Sequence, residues 1–329
     1  MKLALVLLAS LVLSVPYAVS AQEHAAAPPQ IPKIRPPAEL AEWVSLNSRA
    51  VQLAQEADLE GAVVAGKQAL ASAERSEGAN DPAVAHVLEN LANFHLSLKQ
   101  YVQAKPLFER ALAIEQKTIG PDSLQVAISF EGLAETYRAQ YQFEQAEPSY
   151  QRALAIREKV QGKDSLEVAT LLDAYAEMCR KQAKFAPAES MFKRALAIRE
   201  KKFGPDSPEV ATSLENLTEV YDSQSTFAQS EPLYKRMLAI REKALGVDHL
   251  DVAITVNDLA LLYYRQGRYA EAEPLYKRAL GIMEKQLDAD SPMLATVVGS
   301  LTALYRKTGR EAEAVALEKH AALIPAKAH

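Results

Sequence analysis

The sequence predicts an all-α solenoid. Three observations carry that expectation: a 42-residue internal period, two amphipathic helical faces within each period, and turn residues that keep the same register. The period shows in Asp122, Asp164, Asp206, Asp248 and Asp290, each 42 residues apart, with Asn80 extending the series backwards. Leu112, Leu154, Leu196, Leu238 and Leu280 keep the same stride, as do Ile114, Ile156, Ile198, Ile240 and Ile282. Whole strings recur: RALAIREK starts at Arg152 and again at Arg194, and EPLYKR starts at Glu231 and Glu273.

Each period divides into two helical stretches. Val210, Leu214, Leu217 and Tyr221 lie at spacings of four, three and four, which places them on one helical face, and Val252, Val256, Leu259 and Tyr263 repeat them. The second stretch carries a broader apolar face, Phe227, Leu233, Tyr234, Met237, Leu238 and Ile240. Two columns of small residues, Ala104, Ala146, Ala188 and Ala272, then Ala111, Ala153, Ala195 and Ala279, imply close helix crossings. Gly267-Arg268 and Gly309-Arg310 separate first from second helices. Gly120-Pro121-Asp122-Ser123 and Gly204-Pro205-Asp206-Ser207 close one pair and start the next, with aspartate or serine available to cap the following helix. Seven pairs follow, at about 39–77, 81–119, 123–161, 165–203, 207–245, 249–287 and 291–323, within a solenoid spanning 38–323. The end pairs diverge, as expected where a repeat has one neighbour. Pro106, Pro148, Pro232 and Pro274 fall inside second helices, where proline removes a hydrogen bond.

The flanks read differently. Met1-Lys2, the apolar run Leu3–Val15 and the small residues of Val19-Ser20-Ala21 form a secretory signal peptide over 1–21, cut near Ala21; the apolar run is too short for a stable transmembrane anchor. Residues 22–37 hold five prolines and a run of alanines, the composition of a disordered lead-in, and 324–329 form a disordered tail. A periplasmic or secreted location follows. Cys179 is the only cysteine, so no intramolecular disulfide can form. A net charge of −5 argues against a nucleic-acid partner.

These residues resemble the tetratricopeptide repeat, in the 42-residue variety of kinesin light chains and many bacterial proteins. One repeat matches the motif with Val256, Leu259, Ala260, Tyr263, Ala272, Tyr276 and Ala279; the preceding one carries Leu214, Leu217, Thr218, Tyr221, Ser230, Tyr234 and Met237. The resemblance implies a right-handed superhelix whose stacked first helices line a concave groove, used for binding another protein or peptide. Carried over position by position, one groove column is Glu89, Glu131, Asp173, Glu215, Asn257 and Gly299. The next is Asn93, Glu135, Glu177, Glu219, Leu261 and Ala303, and a third includes Arg138, Arg180, Asp222, Tyr264 and Arg306. Seven carboxylates in the first two columns suggest an acidic ladder for a basic segment, diluted by the arginines, with a more apolar end at Leu261, Tyr264 and Ala303. The family's peptide-carboxylate clamp of lysines, arginines and asparagines is not reproduced.

No metal-ligand spacing, nucleophile motif or phosphate loop occurs, so the expectation is a non-catalytic scaffold with no cofactor or metal. The alternatives are a structural or oligomerising module, with a homo-oligomer left open, and an envelope-polymer or carbohydrate binder. Arg199-Glu200-Lys201-Lys202 and similar strings at the ends of second helices are expected to complement helix dipoles.

Overall fold

The computed structural model describes residues 42–288 and 290–321; the leader, the lead-in and the tail lie outside them. Every element among the described residues is an α-helix, and the helices come in seven pairs. They are α1 (Glu42–Gln55) with α2 (Leu59–Ser76), α3 (Pro82–Ser97) with α4 (Tyr101–Thr118), α5 (Leu124–Ala139) with α6 (Phe143–Gln161), and α7 (Leu166–Lys181) with α8 (Phe185–Phe203). Then follow α9 (Pro208–Ser223) with α10 (Phe227–Leu245), α11 (Leu250–Arg265) with α12 (Tyr269–Gln286), and α13 (Pro292–Lys307) with α14 (Glu311–Ala321). The described residues form two compact units that meet in sequence between residues 160 and 161. None of the described helices is long and apolar enough to cross a membrane.

Packing follows the small-residue columns. Ala104, Ala146, Ala188, Ser230 and Ala272 are fully buried, as are Ala111, Ala153, Ala195, Met237 and Ala279. A side chain without reach lets the helix axes approach, and the larger groups beside them, Phe108, Tyr150, Phe192, Tyr234 and Tyr276, fill the space behind. Cys179 is buried among these apolar groups.

The turns within pairs share one geometry. Ala57, Lys99, Tyr141, Ala183, Ser225, Gly267 and Gly309 recur every 42 residues, all in the left-handed region with φ between 56° and 77°. The following N–H reaches back to the helix, as in Gln100 N to His95 O at 2.8 Å and Arg268 N to Tyr263 O at 2.9 Å, which closes a Schellman cap. Only the last two positions are glycine, so the first five hold a non-glycine residue where a Cβ is strained. Between pairs, Gly204 and Gly246 take φ 90° with ψ near 155°, a region open only to glycine.

Capping divides the labour that the sequence left open. Ser123 and Ser165 accept the amides of Val126 and Val168. The neighbouring aspartates turn to cations 37 residues on: Lys159 to Asp122 at 2.6 Å and Lys201 to Asp164 at 2.5 Å. A further arginine column staples each inter-pair loop, with Arg110, Arg152, Arg194, Arg236 and Arg278 donating to the carbonyls of Ala79, Pro121, Lys163, Pro205 and Val247, each 31 residues back. The second-helix cations therefore have specific partners beyond the helix dipole. Pro106, Pro148, Pro232 and Pro274 leave their helices unbroken. Each proline and the residue four before it are exposed, so water can take the carbonyl the proline releases.

The turn column gives a direct test. Ala183→Gly relieves a left-handed Cβ and is expected to raise stability by up to about 1 kcal/mol, while Gly204→Ala is expected to lower it by more than about 1 kcal/mol. Urea unfolding of both variants measures the two signs.

Candidate functional site: the faces of the first helices

The first helix of each pair presents the three groove columns, and the structure gives most of their charges partners inside the protein. Arg157 forks onto Glu131, with Nη2 2.8 Å from Oε2. Arg199 binds Asp173, and Arg241 binds Glu215 at 2.7 Å. Each arginine lies 26 residues after its carboxylate, on the second helix of the same pair. The second amino group of Arg199 donates to Ser213 at 2.6 Å and that of Arg241 to Thr255 at 2.7 Å, so the pairs are also tied to the next first helix. These side chains are mostly buried. Burial pushes the Asp173 carboxyl up despite the opposing pull of Arg199, so desolvation is the larger influence there.

The other columns are engaged as well. Arg138 holds Glu135 and Arg180 holds Glu177, each at 2.7 Å, with Glu219 3.1 Å from the same Arg180. Asn93, in the same column, is half-buried. The ladder expected to face a basic partner is thus largely neutralised from within over Glu131, Glu135, Asp173, Glu177, Glu215 and Glu219. Sequence reasoning missed Arg157, Arg199 and Arg241, and the constant 26-residue offset between the two columns was the signal available.

The register breaks twice. In the α3–α4 pair the carboxylate column holds Glu89, and the arginine column holds Glu115. Both are buried, at 2 % exposure, and Ser129 donates to Glu89 at 3.1 Å. Burial and the neighbouring Glu115 hold the Glu89 carboxyl well above the usual range, and burial raises Glu115 to about 7. Two carboxyls in one buried site share a proton rather than ionise together. In the α11–α12 pair the same columns hold Asn257 and Met283, neutral on both sides. Asn257 donates instead to Asp258 at 3.2 Å.

Around α11 the face is least neutralised. Asp222 accepts from the Tyr234 hydroxyl at 2.8 Å through one oxygen, while its other oxygen has no hydrogen-bond partner. Burial raises the Asp258 carboxyl to about 6, with Glu215 and Asp222 adding repulsion that Arg241 only partly offsets. Beyond it opens a cleft of about 700 Å³ lined by Tyr264, Leu294, Val298, Gly299, Thr302 and Ala303. Tyr264 leans on Tyr269, with ring centroids 5.4 Å apart. Leu261 is exposed nearby. His86 stands exposed on α3, with enough protein around the ring for desolvation to lower its pKa; His95 is buried and bonded to Gln100 at 2.6 Å. Among the described residues no group of three or more His, Cys, Asp or Glu could hold a metal ion.

Two predictions rest on these pairs. Arg199→Met strands Asp173 and is expected to cost about 3 kcal/mol, whereas Asp173→Asn with Arg199→Met copies the natural Asn257–Met283 pair and is expected to fall within about 1 kcal/mol of the parent. Chemical denaturation of these proteins together with the Asp173→Asn single variant completes that cycle. For Glu89 and Glu115 the folded pKa is raised, so their contribution is intact below about pH 4.5 and is lost as pH rises toward 7, at up to about 1.4 kcal/mol per pH unit for one proton. Glu131, already paired to Arg157, is the one further charge raising Glu89. Trp43, the single tryptophan, lies on α1 in the same compact unit. Its fluorescence in the full chain is expected to report a midpoint that declines from pH 5 to 8, and Glu115→Arg is expected to flatten the decline.

Comparison with known proteins agrees with this architecture. The tetratricopeptide repeat family matches residues 43–117, 83–159, 125–201, 167–243, 209–285 and 251–322, nearly the whole described chain. A crystal structure of BtubC (BKLC) from P. vanneervenii is similar at 25% identity over 68% of this chain and 90% of that one, with a TM-score of 0.58. A putative kinesin light chain with nearly identical TPR-like repeats from Podosopora anserina is 22% identical over 62% of this chain and 97% of that one, with a TM-score of 0.57. A signal transduction ATPase with a tetratricopeptide repeat sensor from Pyrococcus horikoshii is 14% identical over 85% of this chain and 41% of that one, with a TM-score of 0.69. No curated protein matches the sequence. With its helix pairs, small-residue columns and 42-residue stride, the chain belongs to the tetratricopeptide repeat family.

Proposed function

We propose that this chain is an exported scaffold that binds a segment of another protein on the first-helix face of its C-terminal compact unit. Proteins of this fold act characteristically as non-catalytic interaction scaffolds, and the repeat pattern is consistent with the kinesin-light-chain-like variety. The cleft carries the reading. From α5 to α10 the columns are closed by their own ion pairs, but at α11 and α13 an apolar hollow of about 700 Å³ remains open beside uncompensated acceptors. That combination suits a protein segment offering an apolar side chain and hydrogen-bond donors. Export is supported by the charged, apolar and small-residue sequence of residues 1–21.

Gly299 makes the test clean, because a Cβ added there meets no atom within 4 Å. Gly299→Leu fills the cleft without disturbing the helix, and the substitution raises helix propensity. The full chain, parent or variant, is expected to be recovered outside the cytoplasm without residues 1–21 by mass spectrometry. The parent is expected to retain a partner from envelope extract that Gly299→Leu recovers at least tenfold less. Equal recovery by both proteins refutes the site, and an intact leader refutes cleavage.

A further inference from the structure

We propose that this face carries a two-part subsite, in which Asp222 and Asp258 seat a lysine or arginine of the partner while the cleft beside Tyr264 takes an apolar side chain of the same segment. The inference rests on the protein-binding reading above and specifies the chemistry of the occupant.

Charge register is the first argument. Along this unit each carboxylate of the groove column has its own arginine, Arg199 for Asp173 and Arg241 for Glu215. At the next step Met283 stands in the arginine column, so α12 supplies no cation to α11. Yet two carboxylates remain there, Asp222 on α9 and Asp258 on α11, and neither forms an ion pair among the described residues. Arg241 from α10 is committed to Glu215 and Thr255. A partner's cation supplies what the repeat omits.

Unpartnered polar atoms are the second, independent argument. The Oδ1 atoms of Asp222 and Asn257 are buried acceptors without donors. The Tyr276 hydroxyl, on a fully buried side chain from α12, has only a loose interaction with Ser300, whose own hydroxyl donates to Thr296 at 2.9 Å, and it lies close enough to Asp258 and Tyr264 to feel both electrostatically. Thr302 lines the cleft at 4 % exposure, with its hydroxyl unpartnered. Buried groups of this kind are costly unless a ligand or water completes them. An ammonium or guanidinium brings several donors to the acceptors, and a peptide backbone in the cleft can meet the Thr302 hydroxyl.

The far rim sets the direction. Arg306 is held by Glu311 and Glu318 at 3.2 and 3.0 Å, leaving Lys307 as a cation at the cleft edge. A second positive charge there is disfavoured, so the partner's cation lies toward α9 and α11 and its apolar residue toward α13.

Binding is linked to protons through the same cluster. The groups facing Asp258 are Asn257 on its own helix, Glu215 and Asp222 from α9, Tyr234 and Arg241 from α10, and Tyr276 from α12. A cation favours the ionised carboxyl, so affinity rises as pH passes upward through about 6.

The experiment selects 12-residue peptides from a phage-displayed random library on the full chain and measures the winners by fluorescence anisotropy. The expected winners carry Lys or Arg within a few residues of Leu, Ile, Phe or Trp. The double variant Asp222→Asn, Asp258→Asn, checked for folding by circular dichroism, is expected to bind them at least tenfold more weakly. It is also expected to lose the salt dependence and the gain between pH 5.5 and 7.5 that the parent shows. Winners that lack basic residues, or that bind parent and double variant alike, overturn the subsite. If Gly299→Leu still abolishes their binding, the protein-binding reading survives; if neither variant matters, or no peptide is selected, both fall.

Discussion

Nearest-neighbour burial is the constraint on which the rest of the molecule depends. A helix pair in this chain cannot cover its own apolar face, so stability comes from seams between successive helices. The fully buried alanine columns set how closely those seams approach, and Ser230 and Met237 take two of their places with equal burial. Because the seams within each compact unit repeat, a residue's role is fixed by its place within 42 positions. A departure from the pattern is therefore informative in a way that an isolated surface residue is not.

The carboxylate and arginine columns illustrate the point. Where both are present they form a mostly buried ion pair, and the pairs of Arg199 and Arg241 are further tied to the following helix by Ser213 and Thr255. Such a pair gains its Coulomb energy only by first losing water, so it fixes register more surely than it adds stability. The chain departs from it in two opposite ways. Glu89 with Glu115 keeps the burial and discards the countercharge, while Asn257 with Met283 discards both charges. The second solution is electrostatically quiet in itself, and it exposes the uncompensated pair Asp222 and Asp258 next to an open hollow.

Much of the fold was legible in the sequence because periodicity is a property of one chain read in order. Helix type, pair number and the small-residue crossings all follow from spacing. The strained turns were half-visible: Gly267 and Gly309 announce them, but Ala57, Lys99, Tyr141, Ala183 and Ser225 adopt the same backbone without the residue that signals it. The groove was less legible. Glu131, Asp173 and Glu215 look like free surface charge when each helix is read alone, and only pairing two helices 26 residues apart brings their arginines to them. The apolar end at Tyr264 and Ala303 was visible as composition. Its depth, and the unpartnered Thr302 hydroxyl that lines it, depend on packing that no linear pattern contains.

The arginine staples have a consequence for how such a chain can diversify. Arg110, Arg152, Arg194, Arg236 and Arg278 each tether a connection at a fixed reach of 31 residues. Lengthening any of those connections would pull its carbonyl out of the guanidinium's grasp. Insertions, the common source of novelty in loop-built recognition surfaces, are therefore discouraged at these joints. Change in what the protein recognises is channelled into side-chain exchange along the open helical faces.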